Sequence, residues 1–307
     1  MLGAPELFQG ALLGLRDQWH AALAHKAPLA DISFAPDPRG WERMRKHPRC
    51  LDFLEAVEVE IKKLRELGAG EVVPGGRRGV PVTEKILRSS FVFVTKRYAD
   101  TGEVEKFKAR LVADGSRQTE VDETHAPTLG GVTLRLLMAI AAKKGLFISK
   151  MDVESAFLIE EIDRPTYIQL PKEYTDYKGE KGTVWKLLRS LYGLSQAPRL
   201  FWLGMKAALE GSGFKSSDHD PCLFVRMESD SSFTYVGTHV DDLAVFSNSI
   251  ARNKSVWDDL LAKYAGVKWE DKAETFVGLA IGYGADGSIT LSQPAYAKHI
   301  LEVLGVS

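Results

Sequence analysis

The sequence is short of cysteine, of long apolar runs and of net charge, and each shortage closes a route. Only Cys50 and Cys222 occur. They lie far apart and form neither a metal-ligand spacing nor a disulfide framework, so a reducing compartment is the default expectation. No apolar stretch approaches the roughly 18 residues of a membrane span, and no membrane partner is expected. Met1 to Gly14 is apolar but lacks a basic n-region, so no secretory signal is read there. The net charge is only −1, yet it is unevenly spread. From Arg39 to Arg117 there are 18 Lys and Arg against 12 Asp and Glu, whereas residues 118–307 carry 20 against 25. A basic stretch can meet phosphates and an acidic one can hold a cation. A solvated basic face without a ligand is the plainer alternative.

What is present centres on Tyr235-Val236-Gly237-Thr238-His239-Val240-Asp241-Asp242-Leu243-Ala244-Val245-Phe246. Two β-prone runs flank adjacent carboxylates, and Asp is depleted from strand interiors, so a strand–turn–strand is expected with the pair at its tip. Two neighbouring carboxylates repel unless a cation lies between them. Mg²⁺ suits such hard oxygens and completes its shell with water and substrate phosphates. An ordinary solvated hairpin turn gives the same spelling. Asp152 closes another apolar run, Leu146 to Val153, where either a site carboxylate or a helix cap fits. Asp152 and Asp241 are 89 positions apart (241 − 152), so only folding can join them. Three carboxylates at one sheet edge suit two-metal nucleotidyl transfer, in which one ion activates a 3′-hydroxyl and the other steadies departing pyrophosphate.

Elsewhere, periodicity predicts a helix with Leu51, Leu54, Val57, Ile61, Leu64 and Leu67 on one face, stopped by Gly68. A hairpin is predicted from Phe91–Val94 and Phe107–Val112 across Ala99–Gly102. Lys106, Lys108 and Arg110 then share a strand face, either to clamp a triphosphate or simply to meet water. Further helices are expected over Thr133–Ala142, closed by Gly145; over Arg199–Leu209, opened by Pro198; over Val256–Tyr264; and over Ala295–Leu304 after Pro294. Thr275–Ile281 and Ser288–Leu291 read as one more hairpin. Asp218 to Cys222 reads as a polar turn rather than a metal site. Residues 1–49 read as a mobile or divergent leader with no assigned function. With no repeat, low-complexity tract or clean linker, the chain is expected to be one α+β unit.

The order of these motifs resembles the reverse transcriptase domain of Ty1/copia-type LTR retrotransposon Pol polyproteins, from about Cys50 onward. Lys108-Ala109-Arg110-Leu111-Val112-Ala113 is similar to the family's KARLVA strand, and Thr124 to Pro127 to its TFAP, with His125 for Phe. Met151-Asp152-Val153 with Ala156-Phe157-Leu158 is similar to MDVxxAFL. Leu191 to Leu194 with Gln196 to Arg199 resembles LYGLKQAPR, and Asp220 to Leu223 resembles DPCL. Val240-Asp241-Asp242 resembles the end of YVDD, Phe276 to Leu279 resembles FLGI, and Ser292-Gln293 with Tyr296, Ile300 and Leu301 resembles SQxxYxxxIL.

The resemblance implies a right-hand polymerase, α+β, with an antiparallel palm sheet flanked by helices. Fingers would lie mainly in 50–145 and 160–197 and palm in 146–159 and 198–292. Only the start of a thumb would lie in 293–307, the rest being largely missing. It implies RNA-directed DNA polymerisation on an RNA or DNA template with a primer and dNTPs. Two Mg²⁺ ions, with Mn²⁺ as substitute, would be held by Asp152, Asp241 and Asp242, with the Val153 carbonyl as a further ligand. Lys108 and Arg110 would meet the triphosphate, Phe157 would lie under the deoxyribose, and Gln196 would contact the nucleotide. His239, Phe276 and Gly278 would face the primer. Other Pol segments, RNase H and integrase, would be partners absent from this chain, and the setting a cytoplasmic particle with access to the nucleus.

The departures are His239 for Tyr, Asp114 and Ser195 each for Lys, and Ile159-Glu160 for Asn-Gly. None removes a metal ligand. They leave open a catalytically inactive remnant that only binds nucleic acid. Without the resemblance, a two-metal phosphohydrolase is a third reading, though no general-base His accompanies a carboxylate motif.

Overall fold

The computed structural model describes residues 36–97, 103–118, 123–264 and 266–305. The predicted turn at Ala99–Gly102 and most of the leader lie outside them. Contacts divide the chain into two units, Met1–Thr119 with Arg164–Leu194 and Glu120–Asp163 with Ser195–Ser307, where the pattern suggested one.

In the first unit, helix α1 (Trp41–Arg45) leads into helix α2 (Cys50–Glu66). The described end of the leader is packed: Met44 is fully buried, and the Trp41 ring lies 5.9 Å from that of Phe91. The buried stripe of α2 is Phe53, Val57, Ile61 and Leu64, and Gly68 ends the helix at φ 62. Glu60, on the same face, is also buried and accepts the Leu111 N–H at 3.1 Å; burial pushes its carboxyl pKa up. Strands β1 (Gly70–Val72), β2 (Ile86–Arg97), β3 (Val104–Ala113), β5 (Tyr167–Gln169) and β6 (Val184–Leu187) form a sheet ordered β1-β6-β5-β2-β3. The predicted hairpin is β2 with β3, paired antiparallel. A short helix, α4 (Lys172–Lys178), follows β5.

The second unit is built on a six-stranded antiparallel sheet. Its strands are β4 (Phe147–Val153), β7 (Lys215–Ser216), β8 (Leu223–Met227), β9 (Phe233–His239), β10 (Asp242–Ser247) and β11 (Val267–Glu270), ordered β11-β4-β10-β9-β8-β7. Side-chain alternation divides its core in two. On one face Met151, Val153, Leu243 and Val245 meet Phe201 and Met205 of helix α5 (Ala197–Gly211) and Val256 and Leu260 of helix α6 (Ile250–Leu261). On the other, Ile148, Ala244 and Phe246 meet Leu134, Leu137, Met138 and Ala141 of helix α3 (Gly131–Lys144). Burial on both faces is why β10 reads as a nearly unbroken apolar run. Helix α3, which the resemblance placed within the span of the fingers, packs against this sheet.

One predicted strand is corrected. Thr275–Ile281 is not continuous: β12 (Thr275–Phe276) and β13 (Leu279–Tyr283) pair antiparallel across Val277-Gly278, and β14 (Ile289–Ser292) adds beside β13. Both turn residues have positive φ, 49 and 73, as a type I′ hairpin requires. The chain's last described helix is α7 (Pro294–Leu304), and among the described residues no helix is long and apolar enough to cross a membrane. Asp220 bears out the turn reading of its segment, accepting N–H groups of Gly130 at 2.9 Å and Cys222 at 3.0 Å. Burial pushes the Cys222 thiol pKa to about 11 and raises that of Cys50, so both behave as packing residues.

Asn253 of α6 is wholly buried beneath β4 and β10. Its amide nitrogen lies 2.9 Å from Ser149 Oγ and 3.2 Å from the carbonyls of Phe147 and Val245, and its oxygen accepts from Ser247 Oγ at 2.6 Å. Asn253→Leu strips buried acceptors of their donor. It is expected to lower stability by about 3 kcal/mol, read as a fall in the urea unfolding midpoint against wild type.

Candidate active site

The register of the central strands sets the site. Asp242 at the start of β10 pairs directly with Asp152 on β4, and the same two positions pair outward with His239 on β9 and Lys268 on β11. Directly opposed residues share a sheet face. Lys268, Asp152, Asp242 and His239 therefore form one row across four strands. Asp152 and Asp242 are half-buried and Asp241 is exposed. The Val153 N–H donates to the Asp241 carbonyl at 2.9 Å, which ties the end of β4 to the turn. The structure thus opposes two of the three predicted carboxylates and sets the third beside them. Among the described residues no group of three or more His, Cys, Asp or Glu is arranged to hold a metal. The donor set nonetheless fits a hard divalent cation: facing carboxylates, a third one residue away, and a main-chain carbonyl at Val153.

The turn is Val240-Asp241, with φ 55 at Val240, a position where glycine is favoured. A β-branched residue there is strained. Val240 is offset by apolar surroundings, since it lines a small cavity with Pro198, Phe201, Trp202 and Met205 of α5. His239 Nδ1 is buried without a hydrogen-bond partner among the described residues.

The other predicted site residues fall as follows. Phe157 sits in a single 3₁₀ turn, Ala156–Leu158, its ring edge-on to Phe201 at 6.2 Å and 83°. Gln196 is buried at the start of α5, with its amide nitrogen 3.5 Å from Asp163 Oδ1. Phe276 is buried in the core around α3, and Gly278 completes the β12–β13 turn. Lys108 and Arg110 are in the first unit, on β3. Lys108 is partly desolvated and crowded by Lys96, Lys106 and Arg110, which together lower its pKa to about 8. The exposed Arg110 guanidinium stacks 5.3 Å over Tyr192.

Two lysines at the carboxylates escaped the sequence reading. Lys150 Nζ lies 3.4 Å from Asp242 Oδ1, and Lys268 Nζ lies 2.8 Å from Glu154 Oε1. Alternation along β4 puts Lys150 on the face of Asp152 and was legible; the pairing of β11 with β4 was not. Two of the departures noted in the sequence, Asp114 and Glu160, are locally matched. Asp114 pairs with Arg117 at 2.9 Å and accepts from Ser116 at 2.6 Å. Glu160 accepts from Tyr264 Oη and meets Lys263, each at 3.1 Å, in a space open because residue 204 is glycine; a Cβ there would sit 1.9 Å from Glu160 Oε1.

A family model described as reverse transcriptase (RNA-dependent DNA polymerase) matches residues 79–307. The chain is 26% identical over 275 residues to the Retrovirus-related Pol polyprotein from transposon TNT 1-94 of Nicotiana tabacum, a match covering 88% of this chain and 20% of that protein. It is 30% identical over 210 residues to the Retrovirus-related Pol polyprotein from transposon RE1 of Arabidopsis thaliana, covering 67% and 14%. It is 25% identical over 241 residues to the Transposon Ty1-MR1 Gag-Pol polyprotein of Saccharomyces cerevisiae, covering 75% and 13%. The chain therefore spans a fifth or less of the length of these relatives.

Two outcomes follow from the strained turn and the crowded lysine. Val277→Asn suits the type I′ position and sacrifices little burial, so it is expected to stabilise by about 1 kcal/mol, measured as a higher urea midpoint. Lys108 has its folded pKa below the unfolded value of 10.5. The folded state then binds fewer protons between pH 8 and 10.5, so this residue's contribution makes stability rise with pH across that window. Comparing urea midpoints at pH 7.5 and 9.5 in wild type and Lys108→Met is expected to show that part of the rise vanish in the variant.

Proposed function

Because the chain belongs to the reverse transcriptase (RNA-dependent DNA polymerase) family, we propose that it copies an RNA or DNA template into DNA by adding dNTPs to a primer 3′-hydroxyl. The observation that carries the reading is the direct pairing of Asp152 with Asp242 beside Asp241, which supplies facing hard oxygens at an open strand end. Two divalent ions, Mg²⁺ with Mn²⁺ as substitute, would supply Lewis-acid activation of the hydroxyl and charge neutralisation on the pyrophosphate. Asp152, Asp241, Asp242 and the Val153 carbonyl hold that charge in place. In this reading the six-stranded unit is the palm, the basic hairpin unit the fingers, and 293–307 the beginning of a thumb.

Lys108 and Arg110 meet the triphosphate, the lysine as a point charge and the arginine bidentately. Phe157, held by Phe201, blocks a 2′-hydroxyl, and Gln196 steadies the nucleotide. His239, Phe276 and Gly278 face the primer end. The remaining segments of a Pol polyprotein, RNase H and integrase among them, are the proposed partners, in a cytoplasmic particle whose product reaches the nucleus. The second reading, a relic that binds nucleic acid without copying it, is favoured by the unpartnered His239 Nδ1 beside the carboxylate row.

Primer extension on poly(rA)/oligo(dT) with Mg²⁺ or Mn²⁺ separates the two. Wild type is expected to extend, and Asp152→Asn and Asp241→Asn each to lose on the order of a hundredfold or more, since each removes charge needed in the transition state. Primer–template binding without extension by wild type would leave only the relic.

A further inference from the structure

Lys150 has no role in the reading above, yet it is the cation nearest to Asp242 in the described contacts. Strand alternation sets it two positions before Asp152 on the same face, one row behind the carboxylates. Its direct neighbour across β10 is Ala244, and the next across β9 is Gly237, so small side chains leave the diagonal to Asp242 open. A Cβ at Gly237 would lie 2.7 Å from Leu129 Cδ2, so a larger residue there would require that side chain to shift. Across β11, Lys150 faces Glu270 in register, but Glu270 is exposed, and the ammonium lies 3.4 Å from Asp242 Oδ1. The pair is shielded, with side-chain exposure of 16% for Lys150 and 30% for Asp242. An ammonium in this position relieves repulsion between Asp152 and Asp242, which is the same service a metal ion performs.

We propose that Lys150 is a resident counter-ion that a divalent cation must displace from Asp242, so that this lysine weakens the site's metal affinity and stabilises the metal-free carboxylate pair. The proposal rests on the reading of Asp152 and Asp242 as metal ligands. One positive charge on a flexible stem gives Asp242 a partner without inner-sphere coordination, whereas a divalent ion brings two charges and a fixed oxygen shell. The two occupants compete for one carboxylate, and competition of this kind is a coupling free energy that must show in the metal's equilibrium affinity.

The test is equilibrium binding of Mn²⁺ to the full chain without nucleic acid, read from the electron paramagnetic resonance signal of free Mn²⁺. Lys150→Gln is expected to tighten Mn²⁺ binding by roughly fivefold or more. Lys150→Arg keeps the charge and is expected not to tighten Mn²⁺ binding. In an Asp242→Asn background, Lys150→Gln is expected to change nothing, because the carboxylate they compete for is gone. Urea midpoints report whether each variant folds, and Lys150→Met serves as a second neutral variant if Lys150→Gln does not. Unchanged or weaker Mn²⁺ binding in the folded neutral variant, while Asp152→Asn still abolishes binding, overturns the counter-ion and leaves the metal ligands standing. Mn²⁺ binding that ignores both Asp152→Asn and Asp242→Asn overturns the metal reading and the counter-ion with it.

Discussion

The pairing register of β4 with β10 is the constraint on which the rest of the second unit depends. A slip of one residue would turn Asp152 toward Phe201 and Met205 and bring Met151 out to the carboxylate row. An unpaired carboxylate in an apolar core costs several kcal/mol, so the alternation of Met151 and Val153 against Leu243 and Val245 locks the strands in place. The packing that stabilises the sheet is thus also what opposes Asp152 and Asp242. Asn253 reinforces this from beneath. It reaches the Phe147 and Val245 carbonyls on the two strands at once, and no shifted pairing would leave both acceptors in its reach.

Within that frame, the unusual residues divide into those the fold absorbs and one it does not. Glu160 is held by Tyr264 and Lys263 over the space that Gly204 leaves free. Asp114 has Arg117 and Ser116 beside it. Both are new charges with new local partners, and neither touches the carboxylate row. His239 is different. It stands in the row itself, and its Nδ1 has no hydrogen-bond partner among the described residues. A buried ring nitrogen of this kind is a standing cost of about 1–3 kcal/mol.

Much of this was legible in the sequence because the signals were local. Periodicity placed α2, and Gly145 and Pro198 marked the ends of α3 and α5. Alternation placed β2, β3 and β4. The failures share a cause: they need information from strands that are not neighbours in sequence. Lys268 comes to Asp152 only because β11 pairs with β4, which no spacing announces. Helix α3 reaches this sheet in the same way, its Leu137 and Met138 buried in one cluster with Phe246. The break in Thr275–Ile281 failed for a different reason. Val277 argues for strand by its propensity, and it turns because Gly278 and the pairing of Phe276 with Leu279 outweigh that preference.

The carboxylate row also carries a tension between stability and chemistry. Two like charges held face to face repel, and a repulsion of even a few kcal/mol is a sizeable part of a domain's net stability. A polypeptide that opposes two aspartates must therefore hold positive charge close by whenever no metal ion is bound. Lys150 provides it on the Asp242 side from the same sheet face, while Lys268, in the row beside Asp152, has its ammonium on Glu154. Charge that makes the metal-free fold tenable also opposes the entry of a cation. The position of Lys150, as well as the carboxylates, then decides how easily the site fills. A lysine suits the task better than an arginine, because a single flexible ammonium can swing away from one oxygen, whereas a bidentate guanidinium would hold both.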